Sequence, residues 1–144
     1  HFYPAANIPV VQFSIDYRQP LSYHFNLAKQ LSSLRKKGVL IIGSGNIVHN
    51  LRAVDFSKIN EVGYGYEWAH EARAYVNKCI RTENFKALQE IEQGPAALQM
   101  AIPTPDHYIP LLYILGLKNK DEELQFFNDK LLAGSLSMTS LKIG

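Results

Sequence analysis

The stretch Val39–Gly43, VLIIG, constrains the fold more than any other part of the chain. It is a continuous apolar run with no polar alternation, the pattern of a strand covered on both faces. Before it, Leu21, His24, Phe25, Leu27, Ala28, Leu31 and Leu34 recur at helical spacing between Pro20 and Lys37. Pro20 suits a first helical turn and Gly38 a C-cap. Earlier still, Asn7–Asp16 (NIPVVQFSID) is rich in β-branched residues and ends in the polar DYRQP, which predicts a second buried strand. Strand, helix, strand in that order is a βαβ unit with parallel pairing. The expected architecture is α/β, a central mostly parallel or mixed sheet flanked by helices.

The rest of the chain extends this pattern. SGNIVHNLR after Gly43 predicts a turn and a short helix, and Phe56–Gly65 a loop. Tyr66–Arg81 is amphipathic, with Trp68, Ala69, Ala72, Tyr75, Val76, Cys79 and Ile80 on one face. Thr82 is a candidate N-cap for the next segment and Gly94 its stop. A short helix is expected over Pro95–Ala101 and an apolar one over Ile109–Leu117. NKDEELQFFNDK predicts a polar connection that packs Leu124 and two phenylalanines inward. GSLSMTSLKIG alternates and predicts a last strand. No repeat or linker divides residues 1–144, which read as one unit.

Composition excludes several classes of function. The 144 residues are 47% hydrophobic and 19% charged, a globular balance with enough length for a core. A net charge of +2 argues against a nucleic-acid partner. The densest basic run, Arg35-Lys36-Lys37, sits just before Gly38, where cations complement a helix C-terminus. The single cysteine, Cys79, excludes an internal disulfide and fits a reducing, cytoplasmic setting as a core residue. No apolar run reaches membrane-spanning length. The opening HFYPAANIPVV runs straight into a strand pattern, as a fragment or processed product would.

Two short segments carry ionisable rings. In GSGNIVHN, Gly43-Ser44-Gly45 follows a predicted strand, where open α/β sheets bind ligands. The third glycine of a dinucleotide loop would fall at Val48, so that match fails. If Asn46 caps a helix, His49 lies in its first turn, and the positive helix end favours a neutral imidazole there. A neutral ring suits a metal ligand or general base; it equally suits a histidine that bonds a backbone carbonyl. In TPDHYIP, Pro110 fits only a first helical turn, so the helix starts near Asp106 or His107. His107 then projects from the mouth of a rigid apolar helix beside Asp106. The other reading makes Asp106 an N-cap and His107 a surface residue. His24 and His70 sit within helical patterns and read as structural.

YPAANIPVVQFSID, GVLIIGSGNIVHNLR, PTPDHYIPLLYILG and GSLSM together resemble the class III extradiol ring-cleaving dioxygenases, in particular the 4,5-DOPA dioxygenase branch. The resemblance runs from about Phe2 to Gly144 and places the chain as the C-terminal half of a larger catalytic domain. The family's N-terminal half carries a His-Gly-Ser-Pro-like motif and a second histidine, both metal ligands. Neither is found here, and His1 does not replace them.

The resemblance implies a metal-ligand role for His107 and an acid–base role for His49, which is also counted among the ligands. It implies supporting roles for Asn50, Asp106 and Ser44. The implied metal is ferrous iron, with zinc as a competing occupant of nitrogen-rich sites. The implied substrates are a small aromatic diol and dioxygen, and the implied product is a muconic semialdehyde. The implied partner is an upstream N-terminal half that supplies further histidine ligands. Two other readings stay open: a zinc protein of the same fold with a hydrolytic or binding role, and an inactive fragment.

Overall fold

Helix α1 (Leu21–Arg35) opens where the proline reading places it: Pro20 is extended, with φ −62° and ψ 152°, and the chain turns helical at Leu21. Its inward stripe buries Leu21, His24, Phe25 and Ala28 against α5 (Ile109–Gly116). Helix α5 is apolar almost all round and correspondingly buried, with Pro110 in its first turn. The computed structural model describes residues 3–144; His1 and Phe2, where the resemblance begins, lie outside them.

Helix α2 (Glu67–Arg81) is the amphipathic segment read from the sequence and buries Ala69, Ala72, Val76, Cys79 and Ile80. Helix α3 (Phe85–Gln89) is capped by Asn84, whose side-chain oxygen accepts from the Ala87 N–H. Thr82, the expected cap, instead donates to the Lys78 carbonyl at the end of α2. Helix α4 (Ala97–Ala101) packs on α2. The helices share one core, with Leu88, Leu98, Leu112 and Leu115 at most 2% exposed.

The strands depart from expectation. Four are present among the described residues: β1 (Leu124–Phe127), β2 (Leu131–Leu132), β3 (Leu136–Ser137) and β4 (Ser140–Ile143). They form two antiparallel pairs, β1 with β4 and β2 with β3. Leu124 faces Ile143 and Phe127 faces Ser140. The connection read as polar thus contains a strand, β1. The single last strand is divided between two partners: the Met138 N–H donates to the Lys130 carbonyl and continues the β2–β3 pairing, Thr139 donates its hydroxyl to Asp129, and from Ser140 the chain pairs with β1.

The chain is α/β in content, but no parallel ladder forms among the described residues, where the parallel contact is an isolated bridge, Gly65 with Gly134. Both predicted buried strands are without a ladder and lie largely at the surface. Leu40 and Ile42 are 71% and 72% exposed, and Val10 is 89% exposed. Only Ile15 and Ile41 from these two stretches reach the core. The apolar pattern reports that both faces want cover, yet a strand exists only where a neighbour accepts its backbone hydrogen bonds.

Candidate functional site

Ile47 and Val48 are buried and pull the segment behind them into the core. The segment then threads between two elements. The His49 N–H donates to the Ala101 carbonyl at the end of α4 at 2.8 Å, and His49 bridges Leu136 of β3. The Ser137 N–H donates to the Val48 carbonyl at 2.9 Å. The helix expected here does not form; a short 3-10 turn, Leu51–Ala53, begins after His49 and is capped by Asn50. His49 therefore has no helix end beneath it. Its pKa is still held below the usual histidine value, first by burial and then by the neighbouring His107 ring, against an opposing pull from Asp106.

His107 lies one turn ahead of α5. The N–H groups of Tyr108 and Ile109 both donate to the Pro105 carbonyl at 2.9 Å, which fixes the turn. The His107 carbonyl accepts the Asn46 N–H at 2.9 Å, and the Asn46 side chain donates to the Ser137 carbonyl at 2.6 Å. Asn46, expected as a helix cap, is instead a clamp joining the His107 turn to β3. Gly45 permits the approach, since a Cβ there would collide with the His107 carbonyl. A Cβ at Gly43 would meet Ile114 and the Pro110 carbonyl at 2.8 Å. The two glycines serve close packing on α5, which accounts for them without a phosphate.

These backbone contacts bring the two rings together. The imidazoles of His49 and His107 stack with centroids 3.7 Å apart and planes 28° apart. The Asp106 carboxylate stands 3.3 Å from His107 Nε2, and both side chains are partly open to solvent. The Thr104 side chain beside it holds the Asp106 carboxyl below the usual range, with both histidines adding to the effect. Asn50 is buried; its amide donates to the Met100 carbonyl at 2.8 Å and its oxygen accepts the Arg52 N–H. It secures the backbone beside His49 with the help of the Ser135 hydroxyl, which donates to the Asn50 carbonyl. Ser44 is exposed and makes no side-chain hydrogen bond among the described residues.

Of the other histidines, His24 is wholly buried and its Nδ1 lies 3.1 Å from the Tyr113 hydroxyl, while His70 is exposed. Sequence reasoning missed Gly45, Thr104 and Ser135 as supports. The Gly-x-Gly pattern was visible, but its reason, a crossing with a turn some sixty residues away, is not local.

A metal would find one well-placed imidazole and one carboxylate here. Among the described residues no group of three or more histidine, cysteine or carboxylate side chains is gathered that could hold an ion. An imidazole binds metal in its ring plane, and an ion in the plane of one stacked ring stands off the plane of the other. The donor chemistry fits part of a non-haem site, with further donors required from elsewhere.

No family model matches the chain. It is 37% identical over 149 residues to a protein named 4,5-DOPA dioxygenase extradiol from Escherichia coli K12, covering 99% of this chain and 52% of that protein. A protein of the same name from Beta vulgaris is 25% identical, with 97% of this chain and 51% of the relative covered. The crystal structure of an uncharacterized Escherichia coli K12 protein matches with a TM-score of 0.88 and 36% identity, covering 99% of this chain and 58% of that one. The chain thus spans about half the length of the curated relatives it matches.

Proposed function

We propose, from its homology to the 4,5-DOPA extradiol dioxygenases over about half their length, that this chain supplies the His49–His107 half of an extradiol ring-cleaving site. The substrate would be a catechol, opened by dioxygen outside the diol to a muconic semialdehyde. The observation that carries this reading is the ring stack, with a half-buried His49, its pKa lowered by burial and by the second ring, against His107 beside a carboxylate. Extradiol chemistry needs a base beside the metal, and a stacked pair divides the two roles between neighbouring rings.

In this reading His107 is the metal ligand from this chain, with Asp106 orienting its ring. The remaining donors come from the portion of the protein that this chain does not span. A ferrous ion held there would bring the diol and dioxygen together; zinc, bound by the same donors, would not support the oxidation. His49 takes a proton from a catechol hydroxyl and returns one as the ring opens, which its depressed pKa permits near neutral pH. Asn50, Asn46 and Gly45 position the two backbones that carry the rings. The cytoplasm, with its reduced iron, is the fitting compartment. Among the described residues no helix is long and apolar enough to cross a membrane.

The test is catechol-dependent oxygen uptake by this chain joined to its complementary portion, loaded anaerobically with ferrous iron. Uptake with a yellow semialdehyde product supports the reading. Metal binding without uptake would move the assignment to a zinc-dependent or purely binding role on the same fold. The 144-residue chain alone should be inactive, because the described residues gather too few donors.

A further inference from the structure

The seam between α1 and α5 holds a buried titratable ring that the proposed chemistry does not use. His24 projects from the start of α1 and is wholly buried. Its Nδ1 lies 3.1 Å from the Tyr113 hydroxyl of α5. Tyr23 and Tyr113 meet the ring at steep angles, with centroids 5.4 Å and 5.5 Å away. Phe13 meets Tyr113 in the same way at 5.5 Å and ties the segment before α1 to the seam. The second ring nitrogen, Nε2, is buried with no hydrogen-bond partner among the described residues. Buried polar atoms are ordinarily matched, so this idle nitrogen needs a reason.

The titratable groups that act on His24 come from three elements: Tyr23 on α1, Tyr113 on α5, and Asp16 in the turn that leads into α1. In that turn the Gln19 N–H donates to the Asp16 carbonyl at 3.0 Å, and Arg18 pairs with the Asp16 carboxylate at 2.8 Å. Burial holds the His24 pKa below its ordinary 6.5, against an upward pull from the Gln19 and Asp16 carbonyls and the Asp16 charge. Either neutral tautomer leads to the same cation. The imidazolium carries two N–H donors, and the Tyr113 oxygen is placed to accept the one at Nδ1. The other is left charged and unmatched in a closed, aromatic seam, which is costly. We propose that His24 is an acid-sensitive latch. Neutral, it closes the seam between α1, α5 and the Asp16–Gln19 turn; protonated, it opens the turn, because its second N–H is satisfied only when an Asp16 oxygen or solvent reaches it. The folded pKa is the lower one, so the stabilising contribution is full above about pH 6.5 and declines as pH falls from there towards the folded value. The latch lies on the helix that carries the candidate site, since α5 begins at Ile109, directly after the His107 turn.

The experiment is an NMR titration, from about pH 8 to about pH 4.5, of the His24 ring and of the Arg18 and Gln19 amides in the joined protein. The expected result is a ring that titrates about one unit or more below 6.5, with both amides shifting at the same midpoint. Asp16 itself titrates near 2, outside the range, so a step in these amides is not its own. His24→Gln, which keeps a polar partner for Tyr113 but carries no titrating proton, should remove that step. Urea unfolding supplies a second readout. The gap in midpoint between the parent and His24→Gln should narrow as pH falls below about 6.5, while His49, His70 and His107, common to both proteins, cancel. A ring that titrates at or above 6.5, or stays neutral throughout the range, would overturn the proposal. So would amides that stay still while the ring titrates, or a gap that is constant with pH, since His24 would then be a structural residue only.

Discussion

The His49 and His107 rings lie face to face, centroids 3.7 Å apart, although each sits on a segment held by backbone bonds to other elements. Neither ring positions the other. Asn46, Gly45 and the Ala101 carbonyl do, and the stack is their product.

Substituting the two rings should separate their roles. In the joined, iron-loaded protein, His49→Ala should keep the metal and lower kcat by about 10²–10⁴-fold, the usual worth of a general acid–base group. His107→Ala should lose metal and activity together. Metal content beside steady-state oxygen uptake reads both, and metal loss in His49→Ala would make His49 a ligand.

Gly45→Ala tests the close approach. The new Cβ must displace the His107 carbonyl, so the Asn46–His107 bond and the ring stack should both be disturbed. Denaturant unfolding should show a loss of about 1–3 kcal/mol, as for overpacking. Ser44→Ala, on the exposed neighbour, should be within about 0.5 kcal/mol of the parent.

Asp129 ties the β2–β3 hairpin to α2. It accepts from Asn77 at 2.9 Å on both oxygens, from Thr139 at 2.8 Å and from Arg73 at 3.2 Å. Burial pushes its carboxyl up, but these donors outweigh burial and hold it below the usual value. Asp129→Ala would leave the buried Asn77 amide without its acceptor, while Arg73 keeps its bond to the carbonyl of residue 129, and should cost about 1–3 kcal/mol in urea unfolding. A cost under about 0.5 kcal/mol would show that water replaces the carboxylate.

Glu122 gives a pH dependence with a defined sign. Arg35 and the Asn119 N–H hold its carboxyl at about 2, against 4.5 for an unperturbed group. The folded value is the lower, so the contribution is fully present above about pH 4.5 and is lost as pH falls from there towards 2. The stability difference between the parent and Glu122→Gln should therefore shrink across that window. A constant difference from pH 6 to pH 3 would contradict the assignment.

What was legible in the sequence was what local physics sets. Helices α1, α2 and α5 followed from periodicity, from Pro20 and Pro110 in first turns, and from a cationic end at Arg35. His49 and His107 stood out as ionisable rings beside apolar segments. The expected neutrality of His49 agrees with the direction of its shift, but the cause differs: burial and a second ring, with no helix end involved.

The sequence by itself determined which stretches would be helical, which residues were apolar enough to demand cover, and which rings were available for chemistry. Only the tertiary structure decided pairing. β1 and β4 meet across a register that no local pattern encodes, and VLIIG stays open because a strand is completed by a neighbour rather than by its own residues. The ring stack is of the same kind. It joins positions 58 apart (107 − 49) through a glycine whose missing Cβ has meaning only once the His107 turn lies against it.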